Sequence, residues 1–169
     1  LWAYAGPLLA GIGGIAAVAL ATALAPWLFL LASLVLLAAT IDVMRRQPAM
    51  FTFTLTLGAA AWSTGNALWA LGAAVDAVVP WWLAFPILTI AGERLELAQI
   101  RAPSRAAALL FRGATALLAV GMVASVFAPA AGERAAAAGL ALLSLWLLRH
   151  DIARRTVRAQ GLPRFSSLA

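Results

Sequence analysis

The first 41 residues carry no charged side chain; the first to appear is Asp42. A hydrocarbon core about 30 Å thick is crossed by about 20 apolar residues in a helix, so this run is long enough to cross twice. Inside a bilayer no water serves the backbone, and a helix closes its own N–H and C=O groups. Ala25-Pro26 divides the run, because proline disfavours helix at the residue before it. Composition points the same way: 64% of the 169 residues are hydrophobic and 11% are charged, against roughly 45–50% and 25% in soluble domains. A soluble globular protein, a disordered chain and a small secreted scaffold are excluded. The predicted fold is all-α, a polytopic transmembrane helix bundle over residues 1–150, with residues 151–169 a basic tail or loop.

Six spans are predicted, over residues 3–24, 27–44, 50–73, 78–99, 105–128 and 133–150. The basic residues orient them. All twelve are arginine, and eleven fall on one side: Arg45 and Arg46, then Arg94, Arg101, Arg105 and Arg112, then Arg149, Arg154, Arg155, Arg158 and Arg164. Arg134 alone is on the other. Arginine-rich loops stay on the cytoplasmic face, so both termini are expected inside and the chain in the inner, cytoplasmic membrane. Trp27, Trp81 and Trp82 fall at the outer ends and read as anchors at the headgroup level. The net charge of +6 then belongs to an edge facing anionic lipid rather than to nucleic acid.

Several chemistries lack their residues. There is no cysteine for a thiolate, disulfide or metal site, and no lysine for a Schiff base. His150 is the only histidine, so bis-histidine haem ligation and multi-histidine metal centres are unavailable within the chain. There is no phosphate-cradling loop ending in Gly-Lys, no Gly-x-Ser-x-Gly elbow, and no soluble segment large enough for a catalytic domain. No catalytic residue, metal ligand or resident cofactor is assigned.

The third span is the most polar. At about 100° per residue, Thr52, Thr56, Ser63 and Asn66 share a stripe with Ala59 and Ala70, flanked by Trp62 and Trp69. An amide in mid-membrane needs partners, so the stripe faces protein or water. It reads either as interhelical hydrogen bonding or as the lining of a cavity for a small polar ligand. Glu93 is about 22 Å into the fourth span and shares a face with Glu96. Arg112 enters the fifth span to a comparable depth, so an ion pair of Arg112 with Glu93 or Glu96 is expected. Gly6, Ala10 and Gly14, and Gly13, Ala17 and Ala21, give the first span two small-residue faces suited to close helix contact.

The segments Ile90-Ala91-Gly92-Glu93-Arg94-Leu95-Glu96-Leu97, Arg149-His150-Asp151-Ile152-Ala153-Arg154-Arg155-Thr156 and Gly161-Leu162-Pro163-Arg164-Phe165 resemble the first half of large bacterial polytopic membrane proteins, distantly like the NnrS group of haem- and copper-associated proteins. The resemblance covers about the second half of the chain. It implies a part of a haem-associated protein whose haem ligands come from elsewhere.

Three functions are expected. The first is a scaffold or subunit of a larger multi-span assembly, with the bilayer, other membrane helices and anionic lipid as partners. The second is a small transporter or substrate-binding component, since six spans in 169 residues also look like the substrate-binding parts of energy-coupling vitamin importers. The third is the haem-associated part-protein. The segment after Gly161 reads either as the approach to a seventh helix of a longer protein or as a frayed tail.

Overall fold

A computed structural model describes residues 4–19, 23–98 and 104–150. These residues form six helices and no strand: α1 (Ala5–Val18), α2 (Ala25–Arg46), α3 (Met50–Ala70), α4 (Val75–Ala98), α5 (Arg105–Phe127) and α6 (Pro129–His150). The expected basic segment 151–169 lies outside the described residues.

The helix ends follow local chemistry. Pro26 stands in the first turn of α2, where its missing N–H costs nothing. Thr52 caps the start of α3 by accepting from the Ala49 N–H at 3.1 Å. Gly72, at φ +90°, turns the chain beyond α3 into a conformation other residues avoid. The Ser104 hydroxyl accepts from the Ala107 N–H at 3.2 Å and caps α5. Pro129 opens α6 directly after Ala128.

Two expectations on the spans change. The fourth span was expected to open near Pro80, but α4 starts at Val75 and carries both Pro80 and Pro86 inside it. Helices packed in membranes tolerate such prolines because neighbours serve the freed backbone groups. The first span was expected over residues 3–24, but the described α1 has 14 residues, about 21 Å, which falls short of a full crossing. Four helices, α2, α4, α5 and α6, are long and apolar enough to cross a membrane. The 21-residue α3 is long enough and uncharged, but its threonines, Ser63 and Asn66 lower its apolarity.

Packing follows chain order. α1 lies on α2, α2 on α3 and α3 on α4, while α5 and α6 form a tight antiparallel hairpin that meets the rest mainly where α6 touches α4. One core joins both parts, with Phe51, Trp81, Leu88 and Leu95 on one side and Phe111, Leu118, Leu143 and Trp146 on the other. The outward faces are also apolar: Leu8, Ile15, Leu31, Leu83, Val120, Val123 and Leu148 are all exposed. Scattered exposed leucines are ordinary, but continuous apolar faces mark surfaces that meet something other than water.

Glycine sets the closest approaches. A Cβ on Gly139 would stand 2.5 Å from the Leu118 backbone nitrogen, and one on Gly121 or Gly132 would run into the Ala136 or Ser125 backbone. Gly132, Ala136 and Gly139 recur at i, i+4 and i+7 on α6, a spacing readable in the sequence that the emphasis on α1 passed over. In α1 itself, Gly6 and Gly13 pack on α2, whereas Gly11 and Gly14 have nothing within 4 Å of a Cβ position. Ala21 lies outside the described residues.

Candidate functional site

Asn66 is the main interhelical polar group of the bundle, 1% exposed on the stripe toward the C-terminal end of α3. Its Nδ2 donates to the Phe29 carbonyl of α2 at 3.1 Å. Its Oδ1 accepts from the Trp82 indole N–H of α4 at 3.0 Å. One amide thus ties three helices, and both its functions are engaged within the protein. Gly65 makes room for this, because a Cβ there would meet Trp82 Cδ1 at 2.9 Å. Aromatic rings close around the amide. Trp69 meets Trp82 edge-on at 5.4 Å and leans on Phe29 at 6.0 Å. Trp62, one turn-pair away, stacks on Phe85 of α4 at 5.1 Å.

The other polar members of the stripe bond to helix carbonyls. Thr56 donates to Thr52 O at 2.9 Å, with Thr40 O of α2 a second acceptor at 3.2 Å. Ser63 donates to Ala59 O at 3.0 Å. The Thr52 hydroxyl lies 2.8 Å from Ala49 O and 2.9 Å from Gln47 O. Back-bonding of this kind satisfies a hydroxyl in an apolar medium without a ligand.

Trp81 and Trp82 depart from the expected headgroup anchors. Trp81 is in the core, 9% exposed, and Trp82 is turned inward to Asn66. An indole N–H aimed at a buried amide outweighs an interfacial position for that ring. Trp27 is half exposed.

Glu93, Glu96 and Arg112 are exposed, and the expected ion pair is not formed. The reason is which helices pair. α5 packs mainly on α6 and buries Phe111, Ala114, Thr115 and Leu118, so Arg112 one position on turns away. Ala91, Gly92 and Leu95 are the inward face of α4, so Glu93 and Glu96 point out. Among the described residues the ion pair formed is Arg46 with Asp42 at 3.0 Å, one turn apart on α2.

At the open end of the hairpin, away from the α5–α6 turn, the Trp146 indole N–H donates to Ala107 O at 2.7 Å and its ring meets Phe111 edge-on at 4.8 Å. His150 stacks on Trp146 at 4.5 Å, with Nδ1 2.9 Å from the Trp146 carbonyl. Among the described residues no three His, Cys, Asp or Glu side chains group to hold a metal.

Sequence reasoning missed the groove between the α3–α4 pair and α5–α6. One chamber, about 390 Å³, is walled by Leu57, Ala61, Leu88, Ala119 and Met122 and reaches the exposed Val123 and Phe127. A second chamber, about 530 Å³, opens between Leu68, Ala77, Pro80 and Leu140 and includes Asp76 and Glu133. Trp81, Met122 and Val126 line both, so the two chambers adjoin along one groove between the helix pairs. Asp76 stands in the first turn of α4, where the helix dipole favours a carboxylate. No periodicity announces such a groove, because its walls come from helices distant in sequence.

No curated protein and no solved structure matches the chain. A family model does match, over residues 1–169, and the chain accordingly belongs to the family described as domain of unknown function DUF8744.

Proposed function

We propose that this chain is a multi-pass protein of the inner membrane and that it serves as a scaffold or subunit within a larger membrane assembly. Six spans with both ends inside account for the arginine asymmetry. The observation that carries the scaffold reading is the closure of Asn66 on Phe29 and Trp82. The most polar stripe of the bundle is engaged in holding helices together, while the outward faces are left apolar for lipid and other helices. Chemical crosslinking in native membranes, followed by sizing in mild detergent, tests this: the chain is expected in a complex larger than itself. A lone monomer in both would overturn it. The chain has no cysteine, so Gln47→Cys and Ala131→Cys supply unique labels for orientation. Labelling of Ala131→Cys, but not of Gln47→Cys, from outside is the expected result.

A second reading, a small transporter or substrate-binding component, is favoured by the groove rather than by the stripe. The importer likeness placed Trp62, Asn66 and Trp69 in the pocket; in the structure those three are occupied with Phe85, Phe29 and Trp82. A binding role therefore has its better footing between α3–α4 and α5–α6.

A further inference from the structure

We propose that the groove between α3–α4 and α5–α6 is a binding site for a single-tailed organic cation, an alkylammonium amphiphile. One chamber is apolar, with Leu57, Leu88 and Met122 offering a slot for a hydrocarbon tail. Its mouth is acidic: the two charged side chains that line it, Asp76 and Glu133, are both carboxylates, on a chain whose net charge is +6. Arg134 follows Glu133 in sequence but is not among the lining residues. Between tail and head stands Trp81, lining both chambers, and an indole face is the best aromatic partner for an ammonium group. The chamber sizes fall in the range of small-molecule sites, about 300–1,000 Å³. Charge complementarity selects the occupant. Asp76 and Glu133 are both exposed, so a neutral lipid gains nothing from them and an anionic one is repelled by them. A cation with one tail matches head to mouth and chain to slot. The site stands apart from the Asn66 knot, which takes no part in it, while Val123 and Val126 of its wall are exposed at the outer edge of α5.

The test uses the full chain in nanodiscs of zwitterionic phosphatidylcholine, with radiolabelled decyltrimethylammonium as the probe. Saturable binding is expected, displaced by unlabelled probe and not by decyl sulfate or decyl maltoside. Asp76→Asn with Glu133→Gln keeps shape and removes charge, and is expected to weaken binding by about tenfold. Ala119→Trp, filling the slot, is expected to abolish it. Glu93→Gln with Glu96→Gln, away from the groove, leaves it unchanged. Absence of saturable binding, equal displacement by decyl sulfate, or indifference to neutralising Asp76 and Glu133 would overturn the proposal. Circular dichroism and a melting curve on each variant separate lost binding from lost fold. Particle size measured on the same preparation separates this outcome from that of the scaffold reading: a monomer that binds the cation removes the scaffold and keeps the site.

Discussion

The α2–α3–α4 part and the α5–α6 hairpin hold their helices together by different means. In the first, a buried amide spans three helices and aromatic rings close around it. In the second, Gly121, Gly132 and Gly139 bring two backbones together, and the Thr115 hydroxyl between them has no hydrogen-bond partner. The hairpin's own interhelical polar link is Trp146 to Ala107 O, at the end away from the α5–α6 turn. In lipid, apolar burial does little to draw helices together, so the contact is made by close packing or by polar bonds. This chain uses each in a different place. Close packing tolerates no added atom, while a polar knot tolerates no lost partner.

Substitutions separate the two modes. The largest effect is expected from Gly139→Leu, which drives a side chain into the Leu118 backbone and the α5–α6 contact. Loss of about 3 kcal/mol or more is expected, read by unfolding in mixed micelles; a loss under about 1 kcal/mol would mean the hairpin is not held by that approach. Next comes Asn66→Leu, which strands the Trp82 N–H and frees the Phe29 carbonyl. A cost of about 2 kcal/mol is expected, with reduced protection of α2 in hydrogen exchange. Trp146→Phe keeps the ring contact with Phe111 and deletes one bond, so about 1 kcal/mol is expected in the same assay. Thr115→Val should move the other way, gaining up to about 1 kcal/mol, because it replaces an unpartnered buried hydroxyl by a methyl group. The smallest change is expected from Gly14→Ala, whose added methyl meets nothing, so the melting temperature should hold or rise slightly.

Much of the fold was legible. An uncharged stretch of 41 residues and prolines at 26, 48 and 129 mark helices and their ends through local sterics. Asn66 was legible as a group that must find partners, though not which ones. The Arg112 pairing with Glu93 or Glu96 failed because it took equal depth for adjacency, and α5 turns to α6. Trp81 and Trp82 were misplaced because position along a helix says nothing of rotation about it.

The all-helical fold and the six helices of the described residues thus followed from composition and spacing alone, since hydrophobicity, proline and charge act on the nearest few residues or on the chain as a whole. Which helices pair, which glycines touch backbone, where Asn66 finds its two partners and whether a groove opens between α3–α4 and α5–α6 were settled by packing. Those are relations between surfaces far apart in the chain, and a helix's rotation and neighbours are fixed by the fit of side-chain volumes, which no local rule contains.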